Sequence, residues 1–288
     1  MINKKYKDRL FCLLFGNEEY KDNILSLYNA LCNTSYTNTD DIQIYTIEDV
    51  IYIKMKNDVS VLLDSFLYLW EQQSTFNPNM PIRGLLYFGK MYDKYITENH
   101  LNIYGKTLIK LPTPKYTVLY NGMDEQPAFM QLRLSDSFIN PDTSGDFEWT
   151  ANMINLNDGK NDDLLDKCQP LKEYMILINE IRKNSVSMGF EDAVDTAVTD
   201  CIEHNVLKSF LLKRRAEVLD VCITEYNEKS FVDGIREEGR KEGRKEGRKE
   251  GQNLLATVVL RLRNGETPEQ ILASGVDAKT IELAETIK

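Results

Sequence analysis

Two apolar runs, DVSVLLD beginning at Asp58 and FLYLWEQQ ending at Gln73, are separated by little more than the polar pair Asp64-Ser65. Runs that close leave few options. They are taken to pair as an antiparallel hairpin about a tight turn at Asp64-Ser65, a register that a one-residue slip would break. Opposed residues then sum to 129, which puts Asp58 directly across from Glu71, with Cβ atoms about 4.5–5.5 Å apart. Side chains alternate between faces along each strand. Val59, Val61, Leu63, Tyr68 and Trp70 make one face apolar along most of the hairpin. The other face carries Asp58, Ser60, Glu71 and Gln73 at one end and Leu62, Leu67 and Leu69 toward the turn. Gln72 points to the first face.

Two carboxylates directly opposed across a ladder destabilise it. A divalent cation removes the conflict, because two carboxylates with waters suit Mg²⁺, which polarises a phosphate oxygen and acidifies water. Solvated acids at the edge of an ordinary hairpin are the alternative, and the hairpin alone leaves both open.

The rest of the first part reads as α/β. EEYKDNILSLYNALCN has one apolar helical stripe, and IQIYTI and DVIYIKM read as strands. PIRGLLYFGKMYDKYITEN is a helix opened by Pro81, with Arg83 in its first turn. KYTVLYNG is a strand ended by a turn dipeptide. After Asp158 the pattern becomes helical throughout, as in LKEYMILINEIRKN, EDAVDTAVTDCIEHN and LKSFLLKRRAEVLDVCITEY.

Glu238 to Gly251 repeats every four residues as EGRK, with seven Lys or Arg against five Glu between Gly234 and Gly251. That near balance argues against a basic DNA-binding arm. The repeat is a solvated helix or linker, or its glycines form a smooth stripe for a second copy. The tail reads as three short helices, the first two stopped by Gly265 and Gly275, and the second started by Thr267-Pro268-Glu269. Its last helix is too acidic for the reading helix of a helix-turn-helix. Packing or oligomerisation is the better use.

The whole-chain properties exclude several chemistries. Only His100 and His204 are present, so a Ser-His-Asp triad or a multi-histidine metal site is hard to build. Five scattered cysteines without a CxxC pair fit reduced thiols in the cytoplasm. No run is long and apolar enough to span a bilayer. A formal net charge of −10 excludes a uniformly basic nucleic-acid coat, but not a local cationic patch.

The segments YKDRLFCLLFG, LSLYNAL, IEDVIYIKMKNDVSVLL, EQQSTFNPNMPIRGLLYF, LIKLPTPKYTVLYNG and NVLKSFLLKRRAEV resemble the recombination-promoting (Rpn) nucleases, also described as PD-(D/E)XK nuclease family transposases. The resemblance spans about residues 5–228. It implies a restriction-endonuclease-like core in which an Asp begins the second strand and an acid-x-lysine triplet lies on the third. Asp58 matches the first position, and Glu71-Gln72-Gln73 matches the triplet, with Gln73 where lysine is usual.

The expected fold is therefore α/β: a PD-(D/E)XK core over residues 1–160, a helical extension over 161–233, the repeat over 234–252 and a helical tail over 253–288. The implied function is Mg²⁺-dependent (or Mn²⁺-dependent) DNA endonuclease activity linked to recombination or a mobile element, carried out by a homodimer. Asp58 and Glu71 would hold the metal, and Gln73 would orient the attacking water or contact the phosphate. Glu18, Glu19 and Arg83 are supporting candidates, the acids as an extra carboxylate and the arginine on a backbone phosphate. The alternative is an interaction or DNA-binding protein that keeps the fold without the catalysis, and the missing lysine favours it.

Overall fold

β1 (Gln43–Ile44), β2 (Asp58–Leu63) and β3 (Phe66–Gln73) form the antiparallel part of a six-stranded mixed sheet. The β2–β3 hairpin has the register assumed above, with Asp58 paired to Glu71 and Leu63 to Phe66. Its turn residues Asp64 and Ser65 have φ of 49° and 62°. A two-residue hairpin turn needs such left-handed backbone to match strand twist. Tyr36 Oη helps to hold the turn by donating to Asp64 at 2.9 Å.

The computed structural model describes residues 6–45, 58–142, 144–223 and 254–287. The expected strand DVIYIKM and the EGRK repeat lie outside them. Two units are present, Met1–Glu225 and Tyr226–Lys288.

In the first unit, α1 (Tyr6–Phe15) and α2 (Lys21–Cys32) precede the sheet. After β3 come α3 (Met80–Glu98), β4 (Thr113–Tyr120), β5 (Phe129–Arg133) and β6 (Thr150–Asn155). Strand order is β1-β2-β3-β4-β6-β5. β3, β4 and β6 run parallel, while β5 returns antiparallel against β6. The parallel pair β3–β4 needs a crossover, and α3 supplies it, covering one face with Met80, Tyr87, Phe88 and Met91 over Leu67, Leu69, Tyr116 and Val118.

The opposite face, with Val59, Val61, Leu63, Tyr68 and Trp70, is covered by α1, α2 and the helices that follow β6. These are α4 (Asp162–Lys167), α5 (Gln169–Asn184), α6 (Phe190–Glu203) and α7 (Lys208–Ile223). On α6 the buried stripe is Ala193, Val194, Ala197, Val198 and Cys201. The helical half thus completes the core of the sheet, since its apolar stripes and the hairpin's apolar face belong to one cluster.

In the second unit, α8 (residues 254–263), α9 (Pro268–Ala273) and α10 (Ala278–Ile287) enclose Val258, Leu262, Ile271, Ile281 and Ala284. Gly265 and Gly275 have φ of 93° and 94° where the first two helices stop. Thr267 and Gln270 form a reciprocal capping box at the start of α9. No helix among the described residues is long and apolar enough to cross a membrane.

Candidate functional site

Glu71 sits two residues before the end of β3, on the face covered by α3, and is 1% exposed. A buried carboxylate persists only when it is paired and hydrogen bonded. Tyr116 Oη, from the neighbouring strand β4, donates to Glu71 Oε2 at 2.6 Å. Gln73 Nε2, two residues along the same strand and therefore on the same face, donates to Oε1 at 2.6 Å. The Arg83 guanidinium, from the first turn of α3, forms an ion pair with the same oxygen. Arg83 is itself held by Tyr87, whose hydroxyl accepts from Nε at 3.3 Å and from Nη2 at 2.9 Å. The arginine side chain is 33% exposed, so it reaches from solvent to the buried acid.

The cation that the opposed acids called for is thus supplied, at Glu71, by an arginine of the chain itself. A carboxylate has about four lone-pair sites. Among the described residues three are occupied here and one remains. The Asp58 side chain lies outside the described residues; its backbone pairing with Glu71 places it at the same end of the hairpin.

The other expected supporting acids lie elsewhere. Glu18 and Glu19 form a short 3₁₀ turn before α2. Glu18 pairs with Lys21 at 2.8 Å, and Glu19 pairs with Lys213 and Arg214 of α7. They tie helices together at the surface. The acid that helix α1 brings toward Glu71 is Asp8. Its Oδ1 is buried and, among the described residues, has no hydrogen-bond partner.

Burial raises the Asp8 carboxyl to about 7, the Glu71 charge adds to the rise, and Lys7 and Arg83 oppose it. Burial also raises Glu71, against the opposing effects of Arg83, Tyr116 and Gln73. Next to Asp8, Lys7 is pulled down to about 7 by burial and then by Arg182.

A carboxyl whose folded pKa is raised contributes stability that is present below its unfolded value and lost as pH rises through the folded one. For Asp8 that window is 3.8 to about 7. Asp8→Asn keeps the shape and removes the charge. Its melting midpoint should equal the wild type's at pH 3.5 and exceed it at pH 8, by at most about 4 kcal/mol of stability. Parallel melts across that range read the result, and a constant offset between the two proteins would contradict it.

The opposite face of β3 carries a second polar group. Gln72 is fully buried, and its Nε2 donates to Asn121 Oδ1 at 2.7 Å. It has no contact with the Glu71 carboxylate, in keeping with its place in the alternation. Asn121 directly follows β4, and its N–H donates to Gln73 O at 3.0 Å. The carboxyl ends of β3, β4 and β6 are therefore side by side, the position at which open α/β sheets bind ligands. Around them stand the buried Glu71 and the half-buried Asp8, with Lys7, Arg83 and Arg182 as a patch of basic side chains among these acids.

Sequence reasoning missed Asp8, Lys7, Tyr116, Asn121 and Arg182. One signal was present. Lys7 lies at helical spacing with Leu10, Phe11 and Leu14, so a charge sits on the buried stripe of α1.

Among the described residues no three His, Cys, Asp or Glu side chains gather on one point. A metal here would need Asp58 together with Glu71 and Asp8. The orphaned Asp8 oxygen and the open lone pair of Glu71 are the features that fit such an ion. No family model, no curated protein and no solved structure matches this chain.

Proposed function

We propose that the chain is a divalent-cation-dependent DNA endonuclease built on a PD-(D/E)XK-type core. The observation that carries this reading is the buried Glu71, paired across the ladder with Asp58 and bonded to Gln73, at the carboxyl ends of the parallel strands. The order helix, three strands, helix, strand, with an acid opening the second strand and an acid-x-glutamine triplet ending the third, agrees with the fold that the resembling segments imply.

Asp58 and Glu71 would hold Mg²⁺ (Mn²⁺ as its substitute), with Asp8 beside them. When bound, such an ion supplies Lewis acidity toward a phosphate oxygen and acidifies water. The chain's own residues do the rest. Arg83 is exposed on its solvent side and places a planar fork where a phosphate oxygen arrives. Tyr116 holds Glu71 by a hydroxyl donated to one oxygen, which fixes the direction of the other. Gln73 spends its amide N–H on Glu71, so its carbonyl is the group left to orient the attacking water. Asp8, with its proton affinity near neutrality, accepts or releases a proton close to Glu71.

Cutting both strands of a duplex is easiest with two sites, so a homodimer is part of the proposal. Cytoplasmic residence is proposed from the five scattered cysteines, which include no CxxC pair. Recombination or a mobile element is the proposed setting, from the resemblance alone.

A second reading has its own observation. Arg83 already neutralises Glu71, and Gln73 stands where the triplet's lysine is usual, so a DNA-binding or interaction protein without catalysis would keep the same geometry. Supercoiled plasmid separates the two. Under the nuclease reading, purified protein nicks or linearises it with Mg²⁺ or Mn²⁺ and leaves it intact with EDTA. Binding without cutting in any divalent cation would establish the second reading.

A further inference from the structure

Lys7 and Arg182 are the two cations of this patch that the proposed chemistry leaves unused. They come from different helices, the first turn of α1 and the last turn of α5. Both reach the same acceptor. Lys7 Nζ donates to Asn121 O at 3.4 Å, and Arg182 Nη2 donates to that same oxygen. Lys7 is only 7% exposed. Two basic groups drawn onto one neutral carbonyl disfavour each other's charge, as the effect of Arg182 on Lys7 shows, and among the described residues neither forms an ion pair with a carboxylate.

Their donors are also underused. An ammonium has three N–H groups and a guanidinium five. Lys7 spends one, at long distance. Arg182 spends others on Asn157 Oδ1 at 3.4 Å and Asn179 Oδ1 at 3.1 Å, while its buried Nε has no partner among the described residues. The half-buried Asn157 and Asn179 form the rim, where Asn179 also donates to Asp158 at 3.4 Å. A buried amine and a half-buried guanidinium that meet on one oxygen with N–H groups to spare suit an anion with several acceptor oxygens, whose charge favours the protonated amine.

We propose that Lys7 and Arg182 form an oxyanion-binding point, on the α1–α5 side of the sheet, that takes a backbone phosphate of the nucleic-acid strand whose neighbouring phosphate faces Glu71 and Arg83. This rests on the nuclease reading, because it assigns the anion to the same strand. The placement supports it. Asp8 lies beside Lys7 in the chain and interacts with the Glu71 charge, and Asn121 joins the ends of β3 and β4. The two points therefore flank one edge of the sheet. With Arg83 on one face and Lys7 with Arg182 on the other, a strand laid across the carboxyl ends meets a cation on each side.

The test uses the full chain. Lys7→Met replaces the buried ammonium by an apolar group of similar length, which a core accepts. Arg182→Gln removes the second charge, and Arg182→Lys keeps the charge but loses the fork. Fluorescence anisotropy with a labelled duplex is read at pH 6, where the Lys7 amine is charged, from 50 to 300 mM salt in Ca²⁺. Each lost phosphate contact should lower the slope of log affinity against log salt by about 0.9. We expect that decrease for Lys7→Met and for Arg182→Gln, with weaker binding on every duplex sequence, and a retained slope for Arg182→Lys. Melting curves show that each variant is folded.

Folded variants whose slopes equal the wild type's, in a protein that still cuts plasmid with Mg²⁺, overturn the phosphate point and leave the nuclease reading standing. A wild type that neither binds nor cuts DNA removes both. Inorganic phosphate that raises the wild-type melting midpoint but not that of Lys7→Met, with salt slopes unchanged, also overturns the proposal by assigning the point to a free anion.

Discussion

Replacing Glu71 by glutamine should reduce plasmid cleavage to background while leaving the protein folded. Glu71 is the residue on which Tyr116, Gln73 and Arg83 converge. An amide of the same shape still accepts from Tyr116 or Arg83 through its single carbonyl, and the partly exposed Arg83 turns to water. What the amide cannot do is carry charge toward a cation. A group that a metal site needs in ionised form is not replaceable by a neutral isostere. The loss should therefore exceed the roughly 10²–10³-fold that follows from removing one hydrogen bond to a developing charge. Asp58→Ala should give the same result, because Asp58 faces Glu71 across the ladder. Initial rates on supercoiled plasmid in Mg²⁺, beside far-ultraviolet circular dichroism and melting curves, read the outcome. Equal cleavage by wild type and both variants from clean preparations would sink the assignment.

Gln73→Ala should slow cleavage by about 10²–10³ and leave duplex affinity nearly unchanged, the size expected for one group aimed at charge that develops in the transition state. Gln73 lies on the Glu71 face and bonds to its Oε1 at 2.6 Å. Its loss therefore leaves that carboxylate oxygen to Arg83 alone and removes the carbonyl that would orient water. Gln73→Lys restores the charge usual at this place in the wider superfamily and keeps a donor to Glu71, so it should retain partial to full activity. Single-turnover rates and anisotropy, measured side by side, separate a chemical defect from a binding one. An alanine variant that cuts at the wild-type rate would show that Gln73 only braces Glu71.

Much of this was legible in the chain. With the turn placed at Asp64-Ser65, Asp58 falls opposite Glu71 and Val59, Val61, Leu63, Tyr68 and Trp70 share the apolar face, and the structure has that register. Helix α3 announced itself through Pro81, and the tail helices through Thr267, Gly265 and Gly275. These are local signals, carried by period, turn chemistry and caps. The strands β5 and β6 were not legible. β5 is short, and its Phe129, Gln131 and Arg133 are exposed at the sheet edge. Its identity as a strand comes from pairing with β6, and strand formation depends on such neighbours more than on intrinsic preference.

The sequence by itself determined the hairpin, the alternation that sets Glu71 and Gln73 on one face, and the helical character of the second half, while the strand pairing fixed the register against a one-residue slip. The tertiary structure alone decided what surrounds that face. Arg83 as the partner of Glu71, Tyr116 as its second donor, Asp8 rather than Glu18 or Glu19 as the neighbouring acid, and Lys7 with Arg182 on Asn121 all join residues from separate elements. Lys7 and Arg182 are brought to one oxygen because α1 and α5 bury their stripes in the same cluster against the sheet. Hydrophobic burial is non-directional and carries no sequence address. Which charges it brings together is settled only when the helices have packed.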